Sequence, residues 1–551
     1  MTLSRQRLAF LVIVLALLAT IAVVQLVRFQ IVQGTPSGSP SFIGLAGQAG
    51  PSMRGRIWDR NGQLLATDDT RFEVLFDRIN GDVTGTVREV IPLLAMPPDE
   101  FRATINVTYG QVVITRGLLP DKALQVNSLE IHGVSAQAYW HRVYPEGQLA
   151  AHVLGFVNAE PKGFYGVEGH YNAQLNGQDA QPAVSTTKPG ADLVLTIDRT
   201  AQAIAEEELA RGLQDTGAKS GSIIVMNPRN GEILVMASAP GYDPNAYADL
   251  VKDSSDQFVD PAVSSNYEPG SVFKIITLAA ALDLGTVTPE TTYLDTPYIE
   301  VGGRLLWNWD RQGHGVVNMI EMMAKSLNVG AATLSTRMGQ QNFYRYLRAF
   351  GIGRPTGIDL QGEAAGLLRT RDTDPADWSE ADLGTNAFGQ GLAVTPIQLV
   401  TAVAAAANDG FMVQPHIVKQ IVEGDKVTTA QVVRIGRPIT ERTAHTLTDV
   451  LVQAVNQEVE FAQVPGYRIA GKTGTAQIPI AGGYDDPWTI ASFIGYGPAS
   501  NPQLIILVKL DRPTTSPYGS ATAAPVFQRV ATRLFALFGI QPDATTVASV
   551  H

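Results

Sequence analysis

Apolar positions are unevenly spread along this chain, and the densest run comes first. Arg5 and Arg7 precede an apolar stretch from residue 8 to 24, carried past Gln25 to Val27. About 18 to 20 such residues cross a bilayer as a helix, so residues 8–28 are expected to form one transmembrane anchor. Two arginines before the run and none inside it place residues 1–7 in the cytoplasm. A cleaved signal sequence would have a shorter apolar core with a small-residue cleavage site close behind, and the nearest such site, at residues 46–49, comes too late. The chain has no second run of that length. The expected topology is therefore a single-pass protein of the inner (cytoplasmic) membrane with everything after the anchor outside it.

Residues 29–52 read as a linker, rich in Gly, Ser and Pro from residue 34. Residues 53–190 alternate short strand-like runs (72–76, 111–115) with turn signals and are expected to form a mixed α/β domain. The texture changes at residue 191. A strand pattern at 193–197 leads into helical periodicity over 199–213, starting near Asp198. Apolar runs at 221–227 and 232–238 flank a Pro-Arg-Asn-Gly turn and predict a hairpin. Helical patterns follow at 272–284, 319–338 and 396–408, then strands at 488–495 and 504–510 and a helix at 524–538. Strands at both ends with helices between predict an α+β domain over 191–540 whose sheet joins its first and last segments. Residues 541–551 are left as a tail.

A chain of 551 residues exceeds a single core. Its 45% hydrophobic and 17% charged residues are ordinary for a folded protein, and a net charge of −11 gives no basic footprint for nucleic acid. The absence of cysteine removes disulfides, thiolate nucleophiles and cysteine-ligated metals together. The eight histidines supply no pair at i, i+4, so no metal site is expected.

Three short segments carry the candidate chemistry. In Glu268-Pro269-Gly270-Ser271-Val272-Phe273-Lys274, a serine that starts a helix has a lysine one turn on, on the same face. A serine hydroxyl needs a nearby base to become a nucleophile, and that lysine is the only base close in sequence. Ser326-Leu327-Asn328 and Lys472-Thr473-Gly474-Thr475 follow downstream. In this order the three segments are the signature of serine acyltransferases that react with penicillins.

The chain resembles the class B penicillin-binding proteins, the monofunctional peptidoglycan D,D-transpeptidases, over nearly its whole length. Before residue 190 the resemblance rests on three stretches: Arg54 to Gly62, starting Arg54-Gly55-Arg56-Ile57; Arg142-Val143-Tyr144-Pro145; and Gly163 to Gly169, ending Val167-Glu168-Gly169. Later it rests on the three segments above, Phe388-Gly389-Gln390-Gly391 and Ala523-Ala524-Pro525-Val526-Phe527. It implies a transpeptidase domain of the penicillin-binding and β-lactamase-like fold on a non-catalytic pedestal. Arg54, Asp59, Arg60, Glu168, His141 and His152 then take structural roles. Nothing resembles a glycosyltransferase domain.

The resemblance also implies site roles. Ser271 is the nucleophile, Lys274 its base and Ser326 a proton relay. Asn328 contacts the substrate backbone. Lys472, Thr473 and Thr475 receive the terminal carboxylate, and Gly474 lets the substrate backbone approach. The backbone N–H groups of Ser271 and Thr475 form the oxyanion hole. The implied substrates are peptidoglycan stem peptides on lipid-linked nascent glycan, with β-lactams as inhibitors and no cofactor. The implied partner is a SEDS-class glycan polymerase, gripped by anchor and pedestal.

Other readings exist for some of these residues. Gly466 to Thr473 matches a phosphate-loop spacing, but no apolar strand leads in and residues 474–483 will not form a helix. A class A β-lactamase shares the three segments, but the Glu-x-x-Leu-Asn segment that positions its water is missing. A carboxypeptidase would use the same residues with water as acceptor, and a tethered scaffold would not need Ser271, Lys274 and Lys472 together. Trp307, Trp309 and Asp310 are read as packing residues rather than as cleft lining.

Overall fold

The structure, a computed structural model, describes residues 53–106, 110–159, 161–177, 189–250, 255–480 and 482–543. The expected anchor, the linker 29–52 and residues 544–551 of the tail lie outside the described residues. Among the described residues no helix is long and apolar enough to cross a membrane.

The first region is a curled sheet. A two-residue strand β1 (Ile57–Trp58) turns back into the long β2 (Leu64–Asp77), on which β3 (Gln111–Leu118) and β4 (Val134–Val143) pair antiparallel. Next comes β5 (Asp192–Leu195), parallel to β1 with Leu193 opposite Ile57. Its helix α1 (Arg199–Thr216) starts where the Asp198 carboxylate accepts from the N–H groups of Thr200 and Ala201, and stops at Gly217 in the left-handed region.

The predicted hairpin is present as β6 (Ser220–Met226) and β7 (Ile233–Ala239). Then come α2 (Lys274–Asp283), α3 (Met319–Ala324) and α4 (Asn328–Met338). The helical pattern over 319–338 is thus split in two at Ser326, which adopts φ +59° and breaks the ladder. The strands β8 (Val418–Glu423) and β9 (Lys426–Thr429), then α5 (Glu441–Glu458), lead to β10 (Ala470–Ile480), β11 (Gly483–Gly497), β12 (Leu504–Asp511) and the closing helix α6 (Ala523–Leu537).

The catalytic-region sheet has the order β10-β11-β12-β6-β7, joining first and last segments as the pattern predicted. Successive residues of β6 feed opposite cores: Ile223 and Val225 pack with Leu209 of α1 and Phe527 of α6, while Ile224 and Met226 pack with Ile276 of α2 and Leu451 of α5. The helix α2 lies wholly in the second core, with residues 274–281 all buried. That placement buries Lys274 as well.

The other sheet has the order β9-β8-β5-β1-β2-β3, with β4 also on β2. Strands from 418–429 therefore extend the sheet that begins at residue 57. Beside it lies a buried ion network. The Glu168 carboxylate accepts from Arg54 Nε and Arg142 Nε, both at 2.7 Å, and Arg142 also reaches Asp68 at 3.0 Å. Burial opposes the charge on Glu168, yet the two arginines hold its carboxyl below the usual range. This is the structural role expected of Arg54 and Glu168.

Candidate active site

Ser271 sits in a short 3-10 turn, Gly270–Phe273, that runs straight into α2. The turn starts at Gly270 with φ +61°, where an added Cβ would lie 3.0 Å from the Thr475 carbonyl oxygen of β10. The Gly270 N–H donates to the carbonyl of Gly389, and Gly389 in turn leaves a Cβ no room against Gly270. The Ser271 turn is therefore wedged between the Phe388–Gly391 loop and the edge strand β10.

Lys274 Nζ lies 3.1 Å from Ser271 Oγ, 2.6 Å from the Ser326 carbonyl oxygen, 3.3 Å from Ser326 Oγ and 2.7 Å from Asn328 Oδ1. Burial pushes this amine well below the ordinary lysine range, Lys472 pushes it further, and Asp295 pulls weakly the other way. A neutral amine has two N–H groups and one lone pair. The carbonyl oxygens of Ser326 and Asn328 can only accept, so they take both N–H groups. In that neutral form the lone pair is left for a hydroxyl proton, and the hydroxyls within reach are those of Ser271 at 3.1 Å and Ser326 at 3.3 Å. Ser326 reaches Lys274 with both its carbonyl and its hydroxyl because of its left-handed backbone.

Asn328 is committed on both sides. Its Oδ1 faces Lys274, and its Nδ2 donates to the Trp307 carbonyl at 3.0 Å. Behind it, buried Asp295 accepts from Asn308 Nδ2 at 2.8 Å, and Asn308 Oδ1 accepts from the Val329 N–H. Trp307 and Trp309 are 38% and 57% exposed and pack outside the core, the Trp307 ring lying 4.8 Å from that of Tyr298. Trp309 donates to the Lys325 carbonyl and meets Tyr518 edge-on at 5.8 Å.

Lys472 is 2% exposed, and burial alone pulls its amine down to about 7. Its Nζ donates to Thr473 Oγ1 at 3.2 Å. Thr475 Oγ1 accepts from the Gly519 N–H at 3.2 Å. At Gly474 an added Cβ would lie 2.4 Å from Ser492 Oγ and 3.0 Å from Val272 Cγ1, so only glycine fits there. Gly471, Lys472 and Thr473 lie inside β10 and no helix follows, which removes the phosphate-loop reading. Lys274, Ser326 and Asn328 gather around Ser271, and the strand bearing Lys472 to Thr475 borders the same turn.

Sequence reasoning passed over Glu268, whose buried carboxylate accepts from the Gly391 N–H at 2.9 Å and the Tyr484 hydroxyl at 3.3 Å. Its place beside Pro269-Gly270 was a signal, but an acid near a turn reads as solvated. Among the described residues one trio, Asp409, Glu441 and His445, has ligand atoms close enough for a metal ion. It is exposed and shares no residue with this site.

Fold and site together define a serine acyltransferase with a buried lysine beside the serine. Residues 221–532 match the penicillin binding protein transpeptidase domain and residues 49–203 the penicillin-binding protein dimerisation domain. The stage V sporulation protein D of Bacillus subtilis is 33% identical over 531 residues, covering 89% of this chain and 79% of that protein. The peptidoglycan D,D-transpeptidase FtsI of Escherichia coli is 28% identical, covering 90% and 85%. The crystal structure of apo penicillin binding protein 3 from Mycobacterium tuberculosis superposes with a TM-score of 0.72 at 30% identity, covering 90% of this chain and 98% of that one. The chain belongs to the class B penicillin-binding proteins.

Proposed function

We propose that the protein is a penicillin-sensitive peptidoglycan D,D-transpeptidase, cross-linking stem peptides through an acyl-enzyme on Ser271. The observation that carries this reading is the buried Lys274 amine, held well below the ordinary lysine range, 3.1 Å from Ser271 Oγ. Relatives are named peptidoglycan D,D-transpeptidases, and structures of the Mycobacterium tuberculosis protein are complexes with aztreonam and ampicillin.

Lys274 takes the Ser271 proton as Oγ attacks the penultimate carbonyl of a D-Ala-D-Ala stem. The C–N bond breaks, and the terminal D-Ala leaves with a proton passed through Ser326. The N–H groups of Ser271 and Thr475 hold the oxyanion. Lys472, Thr473 and Thr475 receive the terminal carboxylate, and Gly474 admits the peptide backbone. Asn328, with one Nδ2 N–H on Trp307, keeps its second N–H for the substrate backbone. An amine of a second stem then attacks the ester, forming the cross-link and freeing Ser271.

In this reading residues 8–28 anchor the protein in the inner membrane, 53–190 form the pedestal and 191–540 the transpeptidase domain. A SEDS-class polymerase supplying nascent glycan is the matching partner. The test is intact-mass spectrometry of the detergent-solubilised full chain with a penicillin. A single long-lived adduct on Ser271, absent from Ser271→Ala, is the expected result. Labelling of Ser271→Ala equal to wild type refutes the assignment, and an adduct lost within seconds identifies a hydrolase instead.

A further inference from the structure

Beneath the nucleophile turn, one row of residues crosses all five strands of the catalytic sheet. The register sets Gly474 opposite Ser492, Ser492 opposite Lys509, Lys509 opposite Ser222 and Ser222 opposite Ser238. Directly opposed residues share a face. Most positions flanking Ser492, Lys509 and Ser222 are apolar (Ala491, Phe493, Val508, Leu510, Ile223), so the row is a polar seam inside the sheet. Its centre is a charge: Lys509 is 6% exposed and ion-paired with Asp511, which also accepts from Ser220 Oγ at 2.9 Å.

The segment that delivers the nucleophile lies along this seam and touches it in order. Asp260 accepts from Ser238 Oγ at 2.9 Å. The ring of Tyr267 lies 5.1 Å from the Lys509 ammonium. At the other end, Pro269 and Val272 pack on Gly474. Three buried polar atoms make no hydrogen bond among the described residues at these contacts: Asp260 Oδ2, Tyr267 OH and Ser492 Oγ.

We propose that Lys509 is a positioning residue for Ser271: from a polar seam across the sheet, it holds the ring of Tyr267 and so fixes where the Ser271 turn sits against β10. It touches neither substrate nor the reacting atoms. Its ammonium, fixed by Asp511, grips the ring four residues ahead of Ser271. Tyr267 is already locked on its other side by paired backbone bonds to Val394. The ring contact and the Gly474 contact together set the spacing between Ser271 and the strand that carries Thr475. The inference deepens the transpeptidase reading and rests on it.

The test separates binding from acylation in the solubilised full chain, using stopped-flow labelling with a fluorescent penicillin. Lys509→Met is expected to slow the acylation step about tenfold or more while leaving pre-covalent binding within about threefold. Lys509→Arg, which keeps the cation, is expected to restore most of the rate. Acylation by Lys509→Met within about twofold of wild type overturns the proposal, and so does a slow rate that Arg does not rescue. If Lys509→Met does not fold, Tyr267→Leu and Tyr267→Phe decide instead. The first is expected to slow acylation and the second to spare it, and equal rates would overturn the idea. Failure of wild type to acylate at all would refute the transpeptidase reading, a distinct result.

Discussion

Replacing Lys472 with methionine is expected to stabilise the protein while disabling it. Lys472 is buried, and its amine is pulled down to about 7, against about 10.4 in an unfolded chain. Between those two values the unfolded state binds more protons, so wild-type stability rises with pH across that window. Below pH 7 the lysine is charged in both states and the full penalty applies. A gap of about three pH units at about 1.4 kcal/mol each makes the lysine cost folding about 4 kcal/mol at neutral pH. Methionine removes that cost but forfeits the contact with Thr473, worth about 1 kcal/mol. The net gain is about 3 kcal/mol, which for a unit this large is a rise in melting temperature of roughly 3 to 4 °C. Melting curves from pH 6 to 10 on wild type and Lys472→Met check it, with penicillin acylation measured alongside. The gap should shrink towards pH 10, where the wild-type lysine is neutral in the fold and increasingly so in the unfolded chain. A variant that melts at or below wild type at pH 7, or a gap constant with pH, refutes the reasoning.

Three further outcomes are expected. Glu168→Gln leaves buried Arg54 and Arg142 without their shared carboxylate and should cost about 3 to 5 kcal/mol, whereas Glu146→Gln, at the half-exposed pair with Arg199, should cost under about 1 kcal/mol; chemical denaturation compares them. Gly474→Ala forces a Cβ against Ser492 and Val272 and should cut acylation about tenfold or more in a labelling time course. Because Lys274 lies well below its ordinary value of 10.5, the wild-type acylation rate should reach its plateau far below that pH and fall on acidification. A rate still climbing at pH 10 would refute this.

Much of the catalytic fold was legible because its elements are long and their patterns pure. The strands at 220–226 and 504–511 are apolar runs, and Asp198 marks the start of α1 in both sequence and structure. The place of the break within 319–338 was not legible. Apolar residues continue on both sides of it, and the left-handed backbone is fixed by contacts with Lys274, distant in sequence. Strands 418–423 and 426–429 escaped notice because they are half-exposed and carry little apolar pattern. Lys509 was hidden inside a run read as an apolar strand. The three motif segments were legible as residue types. Their convergence depended on the sheet register and on Gly270, Gly389 and Gly474 packing without side chains.

The sheet of seven strands has a practical meaning for anyone dividing this protein. β5 lies between β1 and β8, so cutting near residue 190 cleaves a sheet through its middle. A fragment starting there keeps every motif residue but bares the main-chain edge of β5, a template for pairing with other chains. Such a piece is expected to aggregate, whereas one that retains residue 53 onwards keeps that edge covered. The two regions are separable as families and inseparable as a solid: hydrogen bonds of one sheet bind the pedestal and the transpeptidase region into a single mechanical part.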